Sequence, residues 1–374
     1  MAFMPSRMEV CLGNLARNYR AIENHVGFGV QLMPVIKADA YGHGMLEVAR
    51  RLVKEGAQRF AVASSDEAFL LRDGGIGEAL LVMGPTVYHE AGELVRQEVA
   101  VALIDMAMAR ALSQAAVREG RSALVHVKVD TGMGRIGFLP EEVPAMLDEL
   151  STLPGIRVEG VFTHFAVSDE RRCLEYTETQ FRRYVQVLEY LESRGVRVPL
   201  RHVCNSAGTL NDPEKHLDAC RPGIILYGMW PSEDCLRPID LCPTFQIKTI
   251  VVALRTLPKG SGVGYGLRYV TPGERRIAVL PMGYSNGLSR AFSMKIDVLI
   301  KGTRVQQIGN ICMEQSMVDV TGLDVSIGDE VVLVGQQGEE EISPDDLAAA
   351  RENTLNYEIP VMFSQGLPRV YLDD

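Results

Sequence analysis

Long apolar runs and surplus positive charge are both missing from this chain of 374 residues. No uninterrupted stretch approaches the roughly 20 apolar residues that span a bilayer, so no membrane partner is expected. Lysine and arginine number 38 against 48 aspartates and glutamates. The resulting net charge of −10 disfavours nonspecific binding to nucleic acid, while leaving room for a local basic pocket. The N-terminal run Met1-Ala2-Phe3-Met4-Pro5-Ser6-Arg7 has no apolar core of the kind a secretory signal requires, so a cytoplasmic location is expected. Paired cysteines are missing too. The seven cysteines, at 11, 173, 204, 220, 235, 242 and 312, include no CxxC, which argues against a disulfide framework and for buried, reduced thiols. The seven histidines form no HExxH and no short-spaced cluster with cysteine, so no metal site is expected.

What remains is the balance of an ordinary globular protein, 47% hydrophobic and 23% charged, with length for one large domain and one smaller. Eight short apolar, β-branched-rich runs precede residue 230: 32–36, 60–63, 79–83, 101–104, 124–129, 158–163, 200–204 and 223–227. Helix-like segments separate most of them. One opens at Ser65-Asp66-Glu67; the clearest covers 174–194, with Phe181, Tyr184, Val185, Leu188 and Leu191 on one face. Buried runs alternating with helices predict parallel βαβ units, and eight of them in about 230 residues predict a (β/α)₈ barrel of the TIM type. After Trp230 the pattern changes. Runs at 246–254, 276–281, 295–300, 317–320 and 330–334 read as strands without long helices between them. The prediction is a barrel over 9–235 and a mostly antiparallel β domain over 236–374.

The chemistry-bearing strings lie at predicted strand ends. The run 32–36 delivers Lys37 to a turn containing Gly42 and Gly44. A partly desolvated lysine there is a nucleophilic amine or a proton-transfer base, although a lone strand-end lysine more often snorkels to solvent. Asn205-Ser206-Ala207-Gly208 follows the seventh strand and Arg221-Pro222-Gly223-Ile224 leads into the eighth; with Tyr41 they offer amides and hydroxyls to a phosphate, which this barrel tends to bind after strands seven and eight. Lys128-Val129-Asp130-Thr131-Gly132-Met133-Gly134-Arg135 ends the fifth strand and Thr163-His164-Phe165-Ala166 the sixth. In the β domain, Gly262-Val263-Gly264-Tyr265-Gly266 reads by itself as a glycine-rich turn.

The eleven-residue string Pro34-Val35-Ile36-Lys37-Ala38-Asp39-Ala40-Tyr41-Gly42-His43-Gly44 closely resembles the cofactor-lysine signature of the alanine racemase family. The other strings resemble that family in order, as far as Pro368-Arg369-Val370-Tyr371. The resemblance implies a homodimer with shared active sites that interconverts L- and D-alanine on pyridoxal 5'-phosphate, supplying D-alanine for peptidoglycan. Lys37 would carry the cofactor and act as one acid–base group; Tyr265, from the opposite subunit, would be the other. Tyr41, Asn205, Ser206, Gly223, Ile224 and Tyr357 would surround the phosphate. Arg221, supported by His164, would face the ring nitrogen, to which an arginine donates without protonating it. Arg135 would reach the substrate carboxylate, and Tyr284, Met313 and Glu314 would lie along the substrate's approach. Lys128 matches a lysine carbamylated in several members. Two positions depart from the family, Glu314 and Cys11, both usually aspartate. The rivals are a racemase of broader specificity for serine, lysine or arginine, a non-enzymatic pyridoxal-phosphate-binding barrel, and a basic amino-acid decarboxylase.

Overall fold

The computed structural model describes residues 5–373. Residues 1–4, which carry part of the signal-peptide expectation, lie outside the described residues. The chain divides into two compact units.

The first unit takes Ala16–Ala40 and Met45–Leu241. Its strands are Gln31–Leu32, Arg59–Val62, Ala79–Val82, Val99–Leu103, Ala123–Lys128, Ile156–Phe162, Leu200–His202 and Ala219–Cys220. The middle six pair in chain order, all parallel. The ring closes through the remaining two. Gln31–Leu32 pairs parallel with Ala219–Cys220, Ile36 N–H donates to Ala61 O at 2.9 Å, and Arg221 N–H donates to Cys204 O at 2.9 Å. This is the predicted eight-stranded barrel. The strand Val99–Leu103 shows the character of a parallel strand covered on both faces, apolar throughout with every residue buried.

One element differs. The run 223–227, expected as the eighth strand, holds a short 3₁₀ helix, Ile224–Tyr227, ended by Gly228 at φ 76°. The strand is the preceding Ala219–Cys220. Four consecutive buried apolar residues carry no period, so strand and helix look alike there.

The second unit takes the N-terminal residues to Leu15, Tyr41–Gly44 and the chain from Cys242 onward. Its main sheet runs in the order Ala253–Leu257, Arg275–Leu280, Ser316–Asp319, Thr303–Ile308, Asp297–Ile300, Glu330–Gln337, Phe245–Ile250, Arg7–Cys11 and Arg369–Leu372. All pairs are antiparallel except the last, and Phe245–Ile250 alternates buried and half-exposed, the mark of a sheet with one face on a core. The sequence boundary near 236 meets a crossover after Leu241, and the N-terminal strand pairs in this sheet, between Phe245–Ile250 and Arg369–Leu372. Cys11 ends that strand, where its sulfur accepts the Asn14 N–H at 3.4 Å at the start of helix Leu12–Val26. An aspartate there would cap the helix more strongly.

Candidate functional site

The barrel's C-terminal strand ends gather nine of the predicted residues: Lys37, Lys128, Arg135, His164, Asn205, Ser206, Arg221, Gly223 and Ile224. Lys37 is half-buried. Burial pulls its pKa down, the Arg135 charge adds to that, and the Glu67 carboxylate opposes it. Directly after it, Ala38, Asp39, Ala40 and Tyr41 all hold φ between 52° and 55°, a left-handed turn of non-glycine residues. Three contacts fix this turn. Ala38 N–H donates to Glu67 Oε1 at 2.6 Å, Ala40 N–H to Ile36 O at 2.8 Å and Met45 N–H to Asp39 Oδ1 at 2.7 Å.

The fifth strand's string folds around one carboxylate. Asp130 Oδ1 accepts from the amides of Gly132, Met133 and Gly134 at 2.9, 2.8 and 3.1 Å, and Oδ2 from that of Arg135 at 2.8 Å. Burial acts to raise its pKa, but these amides and the charge of Lys128 hold it below the usual carboxylate range. Lys128 itself is buried, with Nζ donating to Val129 O at 3.0 Å; burial pulls its pKa down to about 7.

Arg221 is buried without a carboxylate partner among the described residues. Its Nη2 donates to Thr163 O and Val203 O at 2.8 and 2.9 Å and approaches His164 Nδ1 at 3.4 Å, while Nη1 donates to His202 Nδ1 at 2.8 Å. Burial draws its pKa down to about 10, so it stays charged at neutral pH. A guanidinium only donates, which makes His202 Nδ1 the acceptor and leaves the ring proton on Nε2. That proton goes to His126 Nδ1, 2.8 Å away. His202 and His126 are both buried; burial holds the first well below the ordinary histidine value and the second at about 3. Gly160 makes room for the chain of rings, since a Cβ there would sit 2.5 Å from His126 Nδ1. Gln180, buried on helix Leu174–Ser193, fixes the loop of His164 by donating to His164 O at 3.0 Å and accepting from Ala166 N–H at 2.9 Å. Neither rear histidine nor Gln180 belongs to a motif; their only signal is a polar residue in an apolar stripe.

Two short helical segments, Ser206–Asn211 and Ile224–Tyr227, begin side by side. Ser206 Oγ accepts the Gly223 N–H at 2.9 Å, which leaves the hydroxyl proton to donate elsewhere, and Asn205 Oδ1 accepts from Gly208 N–H at 2.9 Å. Four cations, Arg221, Arg135, Lys128 and Lys37, act together with burial to hold His164 well below the ordinary histidine pKa. Such a donor set, rich in positive charge and in serine and amide donors, has the chemistry to hold a phosphate-bearing group such as pyridoxal phosphate.

The remaining predicted residues belong to the β unit. Tyr41 and Tyr357 lie with ring centroids 6.3 Å apart. Tyr265 starts a 3₁₀ turn tied down by Asn310 Nδ2, which donates to Tyr265 O at 2.7 Å, and its side chain is 69% exposed. The loops carrying Tyr284 and Met313-Glu314 are zipped together: Tyr284 N–H donates to Cys312 O at 3.1 Å and Ser285 N–H to Met313 O at 2.9 Å. A Cβ at Gly283 would stand 2.3 Å from Cys312 O, so the approach requires glycine. Tyr284, Met313 and Glu314 are exposed beside it.

Among the described residues, one trio of carboxylates could hold a metal ion, Glu178, Asp212 and Glu214. Lys215 Nζ already lies among them, at 2.6, 2.7 and 2.8 Å. Among the described residues no helix is long and apolar enough to cross a membrane.

Residues 10–231 match the family model for the alanine racemase N-terminal domain, and residues 244–371 that for the C-terminal domain. "Alanine racemase 2" of Caldanaerobacter subterraneus subsp. tengcongensis is 40% identical over 370 residues, covering 98% of this chain and 95% of that protein. The solved alanine racemase of Clostridium difficile superposes with a TM-score of 0.94 at 37% identity, covering 100% of this chain and 97% of that one. A histidine racemase from Leuconostoc mesenteroides subsp. sake superposes with a TM-score of 0.90 at 28% identity, covering 100% and 99%.

Proposed function

The chain belongs to the alanine racemase family, and from this premise we propose that it is a pyridoxal-phosphate-dependent isomerase interconverting L- and D-alanine. The observation that carries the reading is the convergence of Lys37, Arg135, Lys128 and Arg221 about His164, beside the paired helix starts at Ser206 and Ile224. Lys37 would hold the cofactor through its amine, and the amine of the incoming amino acid would displace it, leaving the lysine free for proton transfer. Tyr41, Asn205, Ser206, Gly223, Ile224 and Tyr357 hold the phosphate; Arg221 donates to the ring nitrogen, backed by His164. When bound, the cofactor supplies an electron sink that acidifies the Cα–H bond of the amino acid. Arg135 steadies the substrate carboxylate. Tyr265 of the partner subunit takes the proton from the L face of Cα, and the Lys37 ammonium returns one to the opposite face; the reverse direction exchanges these roles. Two groups are needed because one amine does not serve both faces. The active unit is then a cytoplasmic homodimer with shared sites, making D-alanine for peptidoglycan. Lys128, with its free amine abundant near neutral pH, is a target for carbamylation that would turn a cation beside Arg135 into an anion.

Chiral product analysis after adding L-alanine and pyridoxal phosphate tests the activity, and borohydride reduction followed by peptide mapping tests the lysine. D-alanine should appear, and the reduced cofactor should be found on Lys37; a link to another lysine, or no racemisation, refutes the reading. A broader substrate range is the second reading, favoured by Glu314 in place of the family's aspartate and by the histidine racemase with this fold. A panel of L-amino acids including serine, lysine, arginine and histidine separates the two.

A further inference from the structure

Left-handed backbone crowds the Cβ of an L-residue against its own carbonyl, and Lys37 leads directly into four such residues, none of them glycine. A turn of that kind persists where its surroundings over-determine it. Its first amide, Ala38 N–H, is met by a side chain from another element, Glu67 of helix Ser65–Asp73. The same carboxylate has a second task. Glu67 Oε2 accepts Ala63 N–H at 2.7 Å, just past the strand Arg59–Val62 that neighbours Lys37's own. The helix is itself anchored at that point, since the Ser64 side chain accepts the Glu67 N–H.

We propose that Glu67 is the positioning residue for Lys37: its two carboxylate oxygens clamp the turn after the lysine to the end of the adjacent strand. The inference rests on the reading of Lys37 as the cofactor-bearing amine. The charged and titratable groups facing that amine come from three elements. Glu67 favours its protonated form and Arg135, after the strand Ala123–Lys128, opposes it, while His164, after Ile156–Phe162, is held well below its ordinary pKa and stays neutral. Glutamate suits this position by count and reach. Glutamine has one acceptor oxygen for two amides and turns an NH₂ toward the other, and aspartate falls about one bond short.

The test uses full-length Glu67→Gln and Glu67→Asp, freed of bound carbonyl compounds with hydroxylamine. The pH dependence of Lys37 acylation by a small activated ester is read by mass spectrometry, and amide exchange is followed in peptides containing Ala38 and Ala63. In Glu67→Gln the lysine should lose its proton at lower pH, raising acylation in the acidic range roughly 3- to 10-fold. Exchange at Ala38 and Ala63 should quicken more than about tenfold. Glu67→Asp, which keeps the charge and loses the reach, should titrate close to the parent while its amides exchange fast. Unchanged acylation in Glu67→Gln, or unchanged exchange at these amides in either variant, overturns the proposal. Exchange in Val99–Leu103 reports whether the barrel is intact, and Glu67→Asp carries the exchange test alone should Glu67→Gln not fold. Neither readout needs cofactor or substrate, so their failure is separable from a failure of the racemase reading, which the borohydride mapping decides.

Discussion

Lys37 and Tyr265, the two proposed acid–base groups, are built in opposite ways. The lysine is half-buried and followed by a turn held by hydrogen bonds from two of its amides, Ala38 and Ala40, and by one that the Asp39 carboxylate accepts. The tyrosine is 69% exposed, and among the described residues only its backbone carbonyl is pinned by a side chain. An aromatic acid–base group standing in solvent gains no desolvation and no fixed orientation from its own unit, whereas the barrel residues already have both. The difference teaches that the barrel residues are pre-organised by their own unit, while the β unit presents its tyrosine outward, which is the arrangement the proposed shared-site dimer needs.

The largest expected effect breaks the comparison if it fails. Tyr265→Phe should cut racemisation by roughly 10²–10⁴-fold with the cofactor still bound, and a loss under about tenfold would place the second base elsewhere. Mixing inactive Lys37→Ala with inactive Tyr265→Phe under subunit exchange should return roughly a quarter of the parental rate, because about half the dimers are mixed and each holds one intact site. No recovery with verified heterodimers refutes the shared site.

The next effect sharpens the barrel side. Asp130→Asn should cost about 2–3 kcal/mol at neutral pH by denaturant titration, since four amides lose a charged acceptor. The folded-state pKa of Asp130 is lowered, so its contribution is complete above the unfolded value of about 3.9 and disappears as pH falls through the folded one. The gap between parent and variant should therefore close in acid; a gap independent of pH would remove charge as the cause. Lys128 gives a slope of the same sign in a higher window, because here it is the charged form that folding disfavours. Between its folded value of about 7 and an unfolded value of about 10.4 the unfolded chain holds more protons, so stability rises with pH there. In carbon-dioxide-free buffer Lys128→Met should abolish that rise, at most roughly 4–5 kcal/mol across the window; an equal slope in both proteins would count against a desolvated amine. Smallest is the test on the exposed half. Glu314→Asp should raise the serine-to-alanine rate ratio by a few fold at most, and identical ratios would dismiss Glu314 as a specificity determinant.

The barrel and the β domain were legible because buried parallel strands and antiparallel strands leave different patterns, and the strings around Lys37, Arg135, Ser206 and Arg221 are long enough to be specific. Short or distributed features were not. Ile224-Ile225-Leu226-Tyr227 has no period to distinguish a 3₁₀ turn from a strand, and the alternation over Arg7–Cys11 is only five residues long. Ser65-Asp66-Glu67 was readable as a helix start, with Ser64 now the cap, but nothing local says that Glu67 reaches Ala38, 29 residues away. His126 and His202 meet across 76 residues, and Asp130 stands inside a visible string whose folding about it depends on backbone amides alone.

The strand Arg7–Cys11 takes its hydrogen bonds from Phe245–Ile250 on one side and Arg369–Leu372 on the other. That strand precedes every barrel strand in chain order yet waits for residues more than 350 positions later before its second edge is covered, whereas every barrel strand lies between Gln31 and Cys220. Synthesis order lets the barrel assemble while the opening strand remains an uncovered edge. That edge is where pairing with a foreign strand competes with folding, and the arrival of Arg369–Leu372 ends the competition.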